Sequence, residues 1–502
     1  MNFEISDNPL DEISSDGLLV FAFQGEGEDS PPQTLSAFKT LDKKLSGLLS
    51  KTVKIDEFLG KRGEILRLYS PEKILSPRIF ILGLGKKKEF RLDDLRRSIG
   101  SFTKSFRKKI TSVALILPSE DELSEKTEKI SQAVGEGFLL GGYEFSKYRS
   151  KEKKSEKKLE AIIISSEKRN KEALKKGFDR AETFAQATVL ARDLVNEQAY
   201  IATPSYLANL AVDIAKKDPK HIKCRVYDRE EAEKMGMNAF LGVARGAETP
   251  PKFIVLEYAP DKKNSEKLAI VGKGITFDSG GINVKTGEHM VDMKMDMSGA
   301  AVVLSVFSVI SDIKPKTSVL GIIAATPNLI SGKSIVPGDV VKALNEKTIE
   351  ILNTDAEGRV TMADSLSFAV REKATKIIDL ATLTGAVMVA LGDSIAGLFS
   401  NNDGMSEEIK KAAEEAGEKV WELPLEKDYK ELNKSSVADI ANIPNTRYGG
   451  AITGALFLSE FIGKIPWSHL DIAGPAFSSK GSDISEKGGT GFGVRTILNL
   501  LT

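Results

Sequence analysis

The chain reads as short apolar runs separated by longer amphipathic ones. In the first third, DGLLVFAF, GEILRLY, PRIFILGLG, SVALILP and LEAIIISS are short and densely apolar, the pattern of buried strands. LDDLRRSIGSFTKSFRKK and DELSEKTEKISQAVGEGFLLGGY carry the longer, helix-like pattern, predicting two helices. Strands alternating with helices imply an α/β layer structure. A long helical pattern without proline then runs over residues 168–197. It predicts a linking helix between a smaller N-terminal α/β domain, residues 1–167, and a larger C-terminal α/β domain, residues 198–502. In the second part KFIVLEYA, KLAIVGKG, TSVLGIIAAT, TIEILN, KIIDLATLTG and WSHLDIAG are predicted strands. GAAVVLSVFSVISD, VTMADSLSFAVREK, SEEIKKAAEEAGEKVWEL and TGALFLSEFIGK are predicted helices.

Composition narrows the partners more than the fold. The length of 502 residues is too great for one ordinary domain. Lys plus Arg and Asp plus Glu both number 71, and this balance sets against nucleic acid as the default partner. The mostly basic run KYRSKEKKSEKKLE, residues 147–160, is the one feature favouring it; a solvated loop or helix end is the plainer reading. Cys224 is the only cysteine, so no intrachain disulfide forms. The acidic start, MNFEISDNPLDEISSDG, lacks the apolar core of a signal peptide. No apolar run approaches bilayer-spanning length. These features predict a soluble cytoplasmic protein without a membrane partner.

The candidate chemistry lies in three segments of the second part: VGKGITFDSGGINVK (residues 271–285), MKMDMSGA (293–300) and NTDAEGR (353–359). Each lies near the end of a strand-like run or opens a helix-like one, and open α/β sheets gather ligands beyond the carboxyl ends of their strands. Together they carry Lys273, Asp278, Lys285, Asp296, Asp355, Glu357 and Arg359. Four carboxylates in one cleft repel each other unless cations balance them, and two divalent ions match their charge. With only three histidines, His221, His289 and His469, a site built on several imidazoles is disfavoured. Carboxylate oxygens suit Mg²⁺, Mn²⁺ or Zn²⁺. Such a pair of ions activates water and polarises a carbonyl or phosphoryl group; amide, ester and phosphoester hydrolysis all remain open on this ground. Taken singly, NTDAEGR also reads as a capped helix start and KGITFD as a turn with a buried ion pair. His289 and His469, flanked by apolar residues, read as packed or hydrogen-bonded histidines. Met290, Met293, Met295 and Met297 divide evenly between core and pocket.

These three segments, with ATLTGA, SHLDIAG and GGTGFGVRTIL, closely resemble the signature segments of the leucyl aminopeptidase family. The resemblance is specific from about Asp193 to the C-terminus and faint before it. It implies a metal-dependent aminopeptidase using two divalent ions per subunit, Mn or Zn with Mg or Co as alternatives. Lys273, Asp278, Asp296 and Glu357 would ligate one ion, and Asp278, Asp355 and Glu357 the other, with Asp278 and Glu357 bridging. Lys285 would stabilise the oxyanion, and Arg359 would hold a bicarbonate acting as general base. Met293, Thr382, Gly385 and Ala473 would line the pocket for the first side chain, preferring Leu and other apolar residues. Peptide substrates and a homohexamer, a dimer of trimers, are also implied. Val360 and Gln198 depart from the usual family residues but touch no proposed ligand.

The expected fold is two α/β domains, the catalytic one with a mixed central sheet flanked by helices. Two rivals stand beside the enzyme: a DNA-binding or regulatory protein on the same scaffold, and a catalytically dead homologue. Absence of a DNA-binding motif sets against the first, and the full ligand set against the second.

Overall fold

The computed structural model describes residues 1–27, 30–70, 74–150, 157–166, 170–262 and 265–502. Among the described residues the chain forms two compact units, residues 1–186 with 480–486, and residues 187–479 with 487–502. The predicted linking helix is Lys171–Asn196, and the division falls inside it. Of the basic run 147–160, residues 151–156 lie outside the described residues.

In the first unit the strands are β1 (Asn2–Ser6), β2 (Leu18–Gln24), β3 (Gln33–Thr34), β4 (Ile65–Tyr69), β5 (Arg78–Lys86), β6 (Ser112–Leu115) and β7 (Ala161–Ser165). They form a mixed sheet in the order β1-β7-β6-β2-β5-β4, with β3 on β2. The run LLVFAF is apolar throughout because both faces of β2 are covered. Leu19, Phe21 and Phe23 join one core, and Leu18, Val20 and Ala22 join the other.

In the second unit the strands are β8 (Ile222–Tyr227), β9 (Lys252–Tyr258), β10 (Lys267–Asp278), β11 (Ser318–Asn328), β12 (Val340–Lys342), β13 (Thr348–Glu350), β14 (Lys376–Ala381), β15 (Ile395–Ser400), β16 (Lys419–Glu422), β17 (Ile440–Ala441) and β18 (Trp467–Asp471). The main sheet runs β16-β15-β18-β14-β10-β11-β9-β8. Its centre, β18-β14-β10-β11, is parallel, and antiparallel pairs flank it on both sides. The two α/β units, the second with a mixed central sheet, are therefore as the sequence predicts; the first unit's sheet is mixed as well. A smaller sheet, β12-β13-β17, carries the chain into NTDAEGR.

The helix Ser298–Ile313 packs on the main sheet through glycine. A Cβ on Gly299 would stand 2.1 Å from the Leu380 carbonyl oxygen and 2.6 Å from the Lys273 nitrogen. Both are backbone atoms with little room to yield. Gly299→Ala is therefore expected to destabilise the unit by about 1–3 kcal/mol, read as a lower urea midpoint at unchanged slope. An unchanged midpoint would show that the helix seats elsewhere.

Three readings need correction. The predicted helix 406–423 is the helix Asp403–Ala416, ended by Gly417 at φ 67°, followed by β16. This edge strand is short and mostly exposed, Trp421 included, so burial imposes no apolar alternation on it. The predicted helix 121–143 is two helices, Glu120–Leu123 and Thr127–Gly141, because Ser124 adopts φ 57°. The helical stretch Gly287–Ile313 does reach membrane-spanning length and apolarity. It comprises 3-10 turns and the helix Ser298–Ile313, whose residues are mostly buried in the second unit.

Candidate metal centre

Three chain segments converge at the carboxyl edge of the parallel strands. Lys273 and Asp278 come from β10. Asp296 lies in the 3-10 turn Met293–Met297 that leads into the helix Ser298–Ile313. Glu357 and Arg359 lie in the first turn of the helix Glu357–Arg371, and Asp355 just before it. Lys273, Asp278, Asp296, Glu357 and Arg359 are all buried. Gly358 makes room for this: a Cβ there would meet the Lys273 Nζ at 2.6 Å.

The acids and lysines interleave. Lys273 Nζ is 2.7 Å from Asp296 Oδ2 and 3.0 Å from Glu357 Oε1, and it donates to the Thr382 carbonyl at 3.0 Å. Lys285 Nζ is 2.9 Å from Asp278 Oδ2 and 2.5 Å from Asp355 Oδ1. One oxygen each of Asp278, Asp355 and Glu357 lies within 4.8 Å of the others. Burial works against the charge on Lys273, yet Asp296, Glu357 and Asp278 outweigh it and hold the ammonium above its usual range. Burial likewise opposes the charge on Lys285, and Asp278 and Asp355 raise it. Burial raises Asp296 well above the carboxylate range, with Glu357 and Asp278 adding and Lys273 opposing. Asp355 is pushed up to about 6, by burial first and then by Asp278 and Glu357 against Lys285.

Whether this cluster fits metal ions turns on its unmet oxygens. Glu357 Oε2 is buried without a hydrogen-bond partner, and Asp296 Oδ2 and Asp355 Oδ1 meet only the ammonium groups of Lys273 and Lys285. Four carboxylates against two ammonium groups leave two net negative charges in a mostly buried cleft. Buried charge of this kind is costly unless compensated, so the residues fit divalent cations. Arg359 is the converse. It is buried, its Nη1 donates to the Asn442 carbonyl at 3.0 Å, and its Nε has no partner. Burial lowers its pKa, while Glu357 and Asp471 oppose that shift. It makes no direct ion pair among the described residues, which leaves its fork open to an anion.

The residues expected to line a pocket fall around this cluster. Met293 shares the turn of Asp296 and is half-buried. The Thr382 hydroxyl donates to Asp296 Oδ1 at 2.7 Å, so Thr382 also holds a proposed ligand. Gly385 is exposed and opens the helix Gly385–Leu391, with open space where a Cβ would stand. Ala473 is buried just beyond β18. Met297 is core, whereas Met290 and Met295 are half-buried. His469 is fully buried against Asp379 at 2.6 Å. His289 is exposed, contrary to the packed reading, because its apolar neighbours lie on a 3-10 turn without buried residues.

Sequence reasoning passed over the residues that hold the proposed ligands still. Asn328 Nδ2 donates to Asp278 Oδ1 at 2.9 Å and to the Thr354 carbonyl at 3.0 Å. Asn442 Oδ1 accepts from Leu352 and Asn353, and its Nδ2 donates to the Asn353 carbonyl. The Thr354 hydroxyl donates to the Gly280 carbonyl at 2.7 Å. The only signal available for Asn328 was its place at a strand end.

Comparison with known proteins places the chain in a family. The family model described as "Cytosol aminopeptidase family, catalytic domain" matches residues 189–498, and that described as "Cytosol aminopeptidase family, N-terminal domain" matches residues 19–152. A probable cytosol aminopeptidase of Aquifex aeolicus (strain VF5) is 43% identical over 485 residues, covering 96% of this chain and 94% of its own. One of Alkaliphilus oremlandii (strain OhILAs) is 40% identical over 502 residues, covering 100% and 99%. A solved mutant of tomato leucine aminopeptidase superposes with a TM-score of 0.89 at 38% identity, covering 100% of this chain and 96% of that one. The bottromycin maturation enzyme BotP in complex with Mn gives 0.84 at 30% identity, covering 97% and 99%. Fold and matches together define a metal-dependent hydrolase of two α/β domains. The chain belongs to the cytosol aminopeptidase family.

Proposed function

We propose that the protein releases N-terminal residues, Leu and other apolar ones preferentially, from peptides, using two divalent ions held by Lys273, Asp278, Asp296, Asp355 and Glu357. The observation that carries this is the buried carboxylate cluster, with Glu357 Oε2 unmet and three acids converging within 4.8 Å. Bound ions would supply Lewis acidity and activate water. Mn is supported by the complex of BotP; Zn, Mg and Co share its suitability for oxygen donors.

The chain's own residues divide the remaining work. Lys273 can ligate only as the neutral amine, so loading the site must displace its proton from a lysine whose ordinary pKa is about 10.4. Lys285 stays an ammonium and steadies the developing oxyanion of the scissile carbonyl. Arg359 keeps its proton and so cannot itself be a base; its planar fork would hold bicarbonate, whose chemistry is that of a general base. Met293, Thr382, Gly385 and Ala473 would receive the first side chain, giving preference rather than absolute selection. The same reading carries a homohexamer, a dimer of trimers, and a cytoplasmic location, the latter supported by the word cytosol in the relatives' names.

The test is metal-stripped protein with Mn²⁺, Zn²⁺, Mg²⁺ or Co²⁺ added back, assayed on a leucine chromogenic amide. Activity is expected to vanish on stripping and return with at least one ion. Silence with every ion would remove the aminopeptidase reading.

A further inference from the structure

The loop after β14 and the turn after β18 supply Thr382, Gly385 and Ala473, and one buried side chain joins them. Asp471, the last residue of β18, is fully buried. Its Oδ1 accepts from the Leu383 N–H at 3.0 Å and from the Ala473 N–H at 3.3 Å, with the Thr384 N–H at 3.5 Å. Its Oδ2 accepts from the Thr384 hydroxyl at 2.7 Å. That hydroxyl accepts in turn from the Val387 N–H at 3.1 Å, capping the helix Gly385–Leu391. A single carboxylate thus orders the loop, the cap of the helix that Gly385 opens, and the turn bearing Ala473.

The other end of the loop is anchored independently. The Thr382 carbonyl accepts from Lys273 and its hydroxyl donates to Asp296. The loop is therefore strung between the carboxylate cluster and the end of β18, and only its Asp471 end lies away from the proposed metal ligands.

Asp471 makes no direct ion pair among the described residues, so its charge must be balanced at longer range. Arg359 and, two residues back on β18, His469 both interact with it electrostatically. His469 Nδ1 is 2.6 Å from Asp379 Oδ1, and Trp467 Nε1 donates to Asp379 Oδ2 at 2.6 Å. Trp467 and Phe399 both stack on the imidazole, with centroids at 6.3 Å and 5.9 Å. Burial opposes protonation of His469, but Asp379 and then Asp471 outweigh it and raise its pKa. Burial raises the pKa of Asp471, against which His469, the Thr384 hydroxyl and the Leu383 and Ala473 N–H groups favour its ionised form, and charged acceptors make the stronger hydrogen bonds.

We propose that Asp471 is the positioning residue that sets the width of the pocket for the substrate's first side chain, and so the enzyme's selectivity among apolar residues. This rests on the reading of Thr382, Gly385 and Ala473 as that pocket.

Asp471→Asn keeps the shape but turns one acceptor into a donor facing the Thr384 hydroxyl. Thr384→Val removes the hydroxyl without burying a new charge, and Thr384→Ser restores it. The measurements are kcat and KM on leucine and glycine chromogenic amides, metal content, and binding of L-leucine and glycine by calorimetry. Asp471→Asn and Thr384→Val should each lower the leucine-to-glycine ratio of kcat/KM by about tenfold, within the range of a methylene-scale pocket change. The loss should fall mainly in the KM for leucine, as expected for lost uniform binding. Leucine binding should weaken in parallel, metal content should hold, and Thr384→Ser should keep the wild-type ratio. An equal fall for both substrates, or an unchanged ratio with unchanged leucine binding, would overturn the proposal. If Asp471→Asn does not fold, Thr384→Val decides alone. If the loaded wild type hydrolyses nothing, the aminopeptidase reading falls. Calorimetry still decides this proposal: wild type binding leucine no more tightly than glycine would overturn it.

Discussion

Glu357→Gln is expected to empty the metal centre and abolish turnover while leaving the chain folded. The carboxylate sits between both halves of the cluster: Oε1 is 3.0 Å from Lys273, and Oε2 is buried and unmet beside Asp278 and Asp355. Only an ionised carboxylate can offer an oxygen to each of two cations. A glutamine turns one of those oxygens into an amide NH₂, whose hydrogens repel a cation. Residues that merely orient a ligand commonly change metal affinity by about 10–100-fold, so loss of a bridging ligand should exceed about a hundredfold. Bound metal per subunit and kcat/KM on a leucine amide measure it. Metal-free protein is the internal control. There the cluster carries excess negative charge, and removing one charge relieves repulsion among Asp278, Asp296 and Asp355. The metal-free variant should therefore melt no lower than metal-free wild type, whereas the metal-loaded wild type should melt higher than both, because ions that bind only the folded state stabilise it. Full metal occupancy in the variant would refute the bridging role.

The fold's outline was legible where burial imposes a period. β2, β5, β10 and β11 are covered on both faces and read as continuous apolar runs. Where burial is partial, the pattern fades. β8 and β16 are edge strands with mixed burial, and neither was predicted as a strand. The segments carrying the acid and lysine cluster were legible for a different reason: charged residues stand among Gly, Ser, Ala and Met, where ordinary surface charge is rare. Lys273 is the clearest case, a lysine inside an otherwise apolar strand. The residues that fix the ligands left no such trace. Asn328, Thr354, Asn442 and Asp471 act singly, each satisfying main-chain groups of a distant segment. A single polar residue bonding across tens of positions has no periodicity and no neighbour in sequence to mark it.

Under the proposed division of roles, Arg359 would separate base delivery from metal holding. Arg359→Ala is expected to retain both ions yet lose about 10²–10³ in kcat, the scale of removing one preorganised electrostatic group. The guanidinium touches no proposed ligand directly: its recorded hydrogen bond goes to the Asn442 carbonyl. Its influence on the ions passes only through the charge of Glu357 and the turn that Asn442 braces. Losing the arginine strands the Asn442 carbonyl, a structural cost of about 1–3 kcal/mol, so alanine alone would confuse the two effects. Arg359→Lys resolves them. Lysine restores a positive charge but not the planar fork, and a point charge cannot hold a planar anion through two parallel hydrogen bonds. Lysine should thus recover stability and leave the rate low. Bicarbonate provides the second axis: in degassed buffer the wild-type rate should rise as bicarbonate is added, and the alanine variant should be indifferent to it. If Arg359→Ala instead loses its metals, the arginine belongs to the holding of the ions and the division of roles proposed for this helix start is wrong.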